Sequence, residues 1–311
     1  MTHSIQSLKD QFVAGTLGKP EFIQRALQVH RHLFDYVGVT QSTDLREIRI
    51  GEDGVRFRIG EDDIWLFAPP EEGRVAPIEV MNFDRYEPEE TRIMDLLSEG
   101  ATQILDVGAN IGWYAVRFAK RTPNSLVHAF EPMPISHSFL QRNIAINEVA
   151  GRVRSYNYGL SDVSGSFDFF IAPTSGTNAS LLNVAAATDV RTVVGLTLTL
   201  DQWCSNHQVK PDFIKCDVEG AELLVFRGGR ETLSEHRPVV FAELLRKWSK
   251  PFGYHPNDML AYFADLGYEC FAVGQSGVRR IDTVKDETPE TNYAFIHKVK
   301  HAELSRKLEA L

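Results

Sequence analysis

The chain has 311 residues, 43% apolar and 24% charged, with a formal net charge of −9, a balance that fits one large α/β domain plus a smaller appendage. The acidic excess speaks against nucleic acid as the bulk partner, which needs a basic face. Three cysteines without C-x-x-C spacing indicate neither a zinc site nor a disulfide framework. The opening lacks a signal-peptide layout and no apolar run reaches membrane-spanning length, so a cytoplasmic protein with no membrane partner is expected.

Residues 20–37 read as a helix, with Ile23, Ala26, Leu27, His30, Leu33, Phe34 and Val37 at helical spacing between Pro20 and Gly38. Residues 45–68 then alternate as strands do, broken by turns at Glu52-Asp-Gly54 and from Gly60 to Asp63. Residues 1–82 therefore form an appendage of helices and a small meander. It could cap a site, carry a homo-oligomer interface or cover the main sheet. From residue 90 strands and helices alternate, the mark of a doubly wound parallel sheet. Strands are predicted at 103–107, 126–130, 153–158, 212–216 and 238–243, and helices near 112–122, 135–147, 219–234 and 256–266. A long excursion runs from Phe167 to Leu200, through the turn-rich tract Ala172-Pro-Thr-Ser-Gly-Thr-Asn-Ala-Ser180. Strands at 268–273 and 292–297, separated by a polar stretch, end a domain spanning 83–299, and residues 300–311 read as an exposed helix. An antiparallel terminal hairpin is not how a dinucleotide-binding fold ends.

The most informative segment is Ile104-Leu-Asp-Val-Gly-Ala-Asn-Ile-Gly112. It is a short buried strand running into a glycine turn that opens a helix, and such a turn brings backbone N–H groups close to a ligand. Its spacing is Gly108-x-x-x-Gly112 and not the G-x-G-x-x-G of dinucleotide folds. Asp106, just ahead of the turn, would repel a pyrophosphate but could hold the ammonium of an amino-acid moiety. That favours S-adenosylmethionine over NAD.

These residues resemble the FkbM family of S-adenosylmethionine-dependent methyltransferases over about residues 83–297. The resemblance rests on Tyr86-Glu87, Asp106-Val-Gly-Ala-Asn-Ile-Gly112, Phe130-Glu-Pro132, Asn143-x-x-x-Asn147, Ser161-Asp162, Asn178-Ala-Ser-Leu181 and Ile214-Lys-Cys-Asp-Val-Glu-Gly-Ala-Glu222. The last is the most specific. The resemblance implies a class I methyltransferase fold: a Rossmann-like, mostly parallel seven-stranded sheet with a C-terminal antiparallel hairpin. Glu131, after its strand, can accept both ribose hydroxyls. Asp162, beside Ser161, is a candidate for the adenine amino group, against a plain turn aspartate. Asn110 is a candidate for the methionine part or for a helix cap. Glu87 matches a family position near the cofactor, against a capping role. Asn143 and Asn147 read as packing residues.

A hydroxyl is a poor nucleophile, so oxygen methylation needs a general base or a metal. Asp217 and Glu243 fall at the ends of the fourth and fifth predicted strands, with Glu219 close behind Asp217. Either Asp217 or Glu243 acts as base, or both hold a divalent cation, magnesium or manganese. Glu222 reads instead as a first-turn acid complementing the helix dipole, and Lys215 as a partner for one of the acids. The family implies a small-molecule acceptor, the hydroxyl of a sugar or polyketide-like natural product. The alternatives are nitrogen methylation, a binding protein without turnover, and an NAD-dependent sugar oxidoreductase or epimerase. The last requires G-x-G-x-x-G and Tyr-x-x-x-Lys, and the chain has neither.

Overall fold

The computed structural model describes residues 4–171, 179–182, 190–275 and 277–311. Helices α1 (Ile5–Val13) and α2 (Lys19–Ser42) pack as a hairpin, with Phe12 and Phe22 stacked. A three-stranded antiparallel meander follows, β1 (Leu45–Gly51), β2 (Gly54–Ile59) and β3 (Ile64–Phe67), then helices α3 (Ala76–Phe83) and α4 (Pro88–Leu97). The wound region runs β4 (Gln103–Val107), α5 (Trp113–Arg121), β5 (Leu126–Phe130), α6 (Pro134–Ile146), β6 (Val153–Tyr156). The excursion contributes β7 (Gly159–Leu160), β8 (Gly165–Ile171), β9 (Ala179–Ser180) and β10 (Arg191–Leu198), a separate small sheet ordered β7-β10-β8-β9. Then come α7 (Leu200–His207), β11 (Phe213–Cys216), α8 (Glu222–Arg227), α9 (Arg230–His236), β12 (Val239–Glu243) and α10 (Arg246–Ser249). The described chain ends with α11 (Pro256–Asp265), β13 (Tyr268–Gly274), β14 (Gly277–Ile281), β15 (Asn292–His297) and α12 (Ala302–Glu309).

The main sheet is ordered β14-β13-β15-β12-β11-β4-β5-β6. Strands β12 through β6 in that order are parallel, while β15 and β13 join antiparallel. These are the seven strands expected of a class I methyltransferase. The eighth, β14, forms where the sequence reads as a polar stretch. It is an edge strand, with Arg279 and Arg280 paired to Glu290 and Glu269 and only Ile281 buried. A strand of that kind is charged to keep its free edge from pairing further, so it carries no apolar run to find.

Alternation along the central strands feeds two cores. Ile104 packs under α4 and α5 on one face, whereas Leu105 and Val107 pack with Phe130, Trp203 and Phe226 on the other. Because both faces are covered, these strands read as nearly continuous apolar runs. The meander shares the first core through Leu45, Phe57, Ile59, Ile64 and Leu66. Its edge is also tied down by hydrogen bonds. Asn143 accepts from the Phe67 N–H at 2.7 Å and donates to the Phe67 carbonyl at 3.0 Å, and Asn147 does the same to Trp65 at 2.9 and 2.6 Å. Two asparagine amides four apart, one in α6 and one at its C-cap, thus stand in for a neighbouring strand, in line with the packing role read for them. Helix α2, by contrast, leaves Ile23, Leu27, Phe34 and Val37 exposed.

The helix expected over 219–234 divides in two. It starts only at Glu222, because Glu219 and Gly220 both lie in the left-handed region at φ 58° and 101°. It breaks at Gly228-Gly229, where a side chain would collide with the Ser161 carbonyl and with Leu200.

Candidate active site

In an open parallel sheet, loops diverge where strand order reverses and leave a crevice at the carboxyl ends. Here the order reverses at β4, and a cavity of about 200 Å³ opens beyond β4, β5, β11 and β12. Its floor is the turn Gly108-Ala-Asn110, and Glu131, Asp217, Glu219 and Glu243 line its sides. Arg74 and Glu79 close it from the N-terminal segment, and Phe169, Ala179 and Leu181 from the excursion. The N-terminal segment thus reaches the cavity through Arg74 and Glu79, while its meander packs on α5 and α6.

The glycine turn is held by β5. The N–H groups of Gly108 and Ala109 both donate to the Phe130 carbonyl, at 3.0 and 2.9 Å. Gly108 sits at φ 79°, and a Cβ there would lie 1.8 Å from the Asp217 carbonyl oxygen. Only glycine lets the β4 and β11 loops meet this closely. Glu131, 6% exposed, accepts from the Asn110 N–H at 2.9 Å and from the Met133 N–H at 2.8 Å. One carboxylate therefore pins the turn and the start of α6 together. Burial nevertheless pushes its pKa up to about 7, against the lowering effect of those two N–H groups.

Asp106, expected to hold a ligand's ammonium, has a partner within the chain. It is fully buried and absent from the cavity lining, and the ammonium it faces is the chain's own Lys215, with Nζ 3.4 Å from Oδ1. Lys215 stands directly opposite Asp106 in the β11–β4 register. It also donates to the Gly108 carbonyl at 3.0 Å and lies 3.6 Å from Asp217 Oδ2. Its acid partners raise its pKa despite the desolvation of a 6%-exposed side chain.

Asp217, with a 38%-exposed side chain, lines the cavity together with Glu219 and Glu243. Burial, then the charge of Asp217, pushes the carboxyls of Glu219 and Glu243 well above the ordinary range. Neither makes a hydrogen bond among the described residues, although Ser180 Oγ donates to the Glu219 carbonyl at 3.0 Å and ties the excursion to this loop. Glu87, left-handed at φ 42°, accepts a short hydrogen bond from the Tyr114 hydroxyl and is pushed up to about 7 by burial. Glu222 lies outside the site. Its Oε1 accepts from the Val218 and Gly220 N–H groups at 3.0 and 3.1 Å, and Tyr254 donates to Oε2 at 3.2 Å, in keeping with its helix-start reading.

Of the other residues singled out from sequence, Asn110 lines the cavity. Gly112 opens α5 against Leu140, one step behind the lining. Ser161 is buried, its N–H bonded to the Leu198 carbonyl, while Asp162 is exposed; the cavity there is lined by Gly159 and Leu160 instead. Asn178 lies outside the described residues, whereas Ala179 and Leu181 of its motif are in the wall. Arg74, Glu79, Tyr114 and Trp248 are lining residues that sequence reasoning missed. No spacing marks them, since each reaches the site through tertiary packing. Among the described residues no group of three His, Cys, Asp or Glu side chains could hold a metal ion.

The methyltransferase FkbM domain family matches residues 106–270, more than half of the chain. The chain belongs to this family. It is similar to methyltransferase sdnD of Sordaria araneosa at 27% identity over 53% of this chain and 73% of that one. It is also similar to hexuronic acid methyltransferase AglP of Haloferax volcanii at 32%, over 49% and 61% of the two chains. A third relative is 2-O-methyltransferase NoeI of Sinorhizobium fredii, at 31% over 47% and 65%. These matches span about two thirds of the relatives' own lengths. A crystal structure of methyltransferase FkbM from Methylobacillus flagellatus covers 86% of this chain and 60% of its own, at 17% identity and a TM-score of 0.41. The class I assignment rests on the strand order of this chain.

A methyltransferase of this family draws its methyl group from S-adenosylmethionine, and the cavity's donor set fits that cofactor. Six acidic side chains line it against two cations, Arg74 and Lys215, and Asp217 is the most exposed of the acids at the strand tips. That excess suits a ligand with a sulfonium and an ammonium, and opposes a pyrophosphate. The methyl donor is the cofactor that the family implies, and the acids of the rim fit it better than they fit NAD.

Proposed function

We propose that this methyltransferase acts on a hydroxyl of a small molecule, a sugar or polyketide-like natural product. The observation that carries the reading is that Asp217 and Glu243 end adjacent parallel strands and face one cavity with Glu219. Hexuronic acid and 2-O-methyl specificities in the names of two relatives point the same way. Glu131 would receive the ribose hydroxyls, with Pro132, Leu160, Phe169 and Leu181 as the apolar wall beside it. Glu87 and Asn110 would hold the amino-acid end. When bound, the cofactor supplies a carbon already activated by a sulfonium.

The protein's own part is to place and deprotonate the acceptor. Asp217, backed by Lys215, takes the hydroxyl proton at a carboxylate oxygen. Glu243, whose raised carboxyl favours the protonated form, hydrogen-bonds the acceptor. A divalent cation held by Asp217 and Glu243 is the second reading, favoured only by the crowding of acids there. The test is release of S-adenosylhomocysteine with a panel of sugars, uronic acids and polyketide alcohols, with and without chelator and added magnesium. Turnover on a hydroxyl that survives chelation supports the carboxylate base. Turnover confined to amines would overturn the oxygen reading.

A further inference from the structure

We propose that Lys215 is a positioning residue that sets Asp217 and the cofactor's glycine turn with one ammonium; the proposal rests on Asp217 being the base. Lys215 Nζ donates one hydrogen bond and lies within ion-pair distance of two carboxylates. The oxygens are those of the Gly108 carbonyl at 3.0 Å, Asp106 Oδ1 at 3.4 Å and Asp217 Oδ2 at 3.6 Å. Tyr114 covers the group from the side, its ring centroid 5.5 Å from Nζ. Each oxygen comes from a different part of the site: the body of β4, the turn after it, and the tip of β11. The β11–β4 register makes the arrangement obligatory, because Lys215 lies opposite Asp106 and Asp217 is two residues further on, on the same side of the strand.

The consequence is a division of labour among charges. Asp106 cancels the charge of Lys215 from below, so the cation can reach the cavity without filling it with positive potential. The Asp217 oxygen nearest Lys215 is Oδ2, at 3.6 Å, and Oδ1 is the oxygen we assign to the acceptor. A shift of the glycine turn would carry Lys215, and with it Asp217. Donor and acceptor placement are thereby linked through a single side chain.

The test is calorimetric and needs no acceptor: titration with S-adenosylmethionine and with S-adenosylhomocysteine, which lacks the sulfonium charge. Lys215→Met alone would strand Asp106 and risk the fold, so the background is the neutral pair Asp106→Asn, Lys215→Met. In the wild-type background, Asp217→Asn should weaken the sulfonium cofactor relative to the thioether by about tenfold, and in the neutral-pair background by about threefold or less. Equal effects in both backgrounds would show that Lys215 does not set Asp217 and would overturn the proposal. So would loss of both ligands alike in the neutral pair, which is what a purely structural lysine predicts. Turnover separates this from failure of the base reading. If Asp217→Asn keeps wild-type kcat the base is elsewhere, whereas if it is dead and the neutral pair is fully active only the role of Lys215 falls. Lys215→Arg, which keeps the charge, should retain more of kcat than the neutral pair.

Discussion

Around the glycine turn, each buried carboxylate is met by a partner that the chain supplies: Glu131 by two backbone N–H groups, Asp106 by Lys215, and nearby Glu222 by two more N–H groups. At the tips of β11 and β12, Glu219 and Glu243 are half-buried and face mainly the charge of Asp217. The first region is held mainly by the chain's own groups, and so behaves as a mould. The second holds its charge down by keeping protons, and is completed by what binds. A site with one rigid half and one acid-crowded half can fix a common cofactor while accommodating an acceptor.

The comparison breaks first at the turn. Gly108→Ala should be the most damaging change, since its methyl group would overlap the Asp217 carbonyl at a φ that alanine resists. We expect a loss of at least about 3 kcal/mol in urea unfolding, with cofactor binding abolished. A soluble, binding-competent Ala variant would show that the two loops are free to part. Asp217→Asn should lower kcat by about a hundredfold to ten-thousandfold while leaving affinity for S-adenosylhomocysteine within a few-fold. Equal loss of that affinity would move Asp217 into the rigid half.

Asn143→Ala, remote from the chemistry, leaves the Phe67 N–H and carbonyl without their partner. It should cost about 1–3 kcal/mol and leave kcat at permissive temperature unchanged. A kcat that falls with stability intact would mean that the meander wall reaches the reacting groups.

The smallest effect is on pH. Glu87 and Glu131 have folded pKa values pushed up to about 7 by burial, above their unfolded value of 4.5. Stability from such raised groups is fully present below the unfolded value and is lost as pH rises through the folded one. The melting temperature of the ligand-free protein should therefore decline between pH 5 and 8. Affinity for the cationic cofactor should rise over the same interval, and affinity for the thioether product should rise less. A flat pair of binding curves would remove Glu87 and Glu131 from the cofactor's surroundings.

What could be read from sequence divides along the same line. β4 and β5 were placed to the residue because strands buried on both faces are apolar runs stopped by a turn, and Glu131 follows at a fixed distance. The late start of α8 is not legible because Glu219 adopts a left-handed conformation that its type does not announce, and the break before α9 comes from tertiary packing at Gly228-Gly229. Asp106 reads from sequence as an acid for a ligand's ammonium, whereas the ammonium beside it in the structure is that of Lys215, 109 residues away and revealed only by strand register. Arg74, Tyr114 and Trp248 reach the cavity through packing between elements, which no local spacing encodes.

The central claim is that this cavity holds a cationic methyl donor on Glu131. Calorimetric titration of the wild-type protein and Glu131→Ala with S-adenosylmethionine, S-adenosylhomocysteine and NAD tests it most directly. The account predicts that both adenosyl ligands bind the wild type, that both are lost in the variant, and that NAD gives no heat in either. Binding of NAD alone, or adenosyl binding indifferent to Glu131, would contradict it.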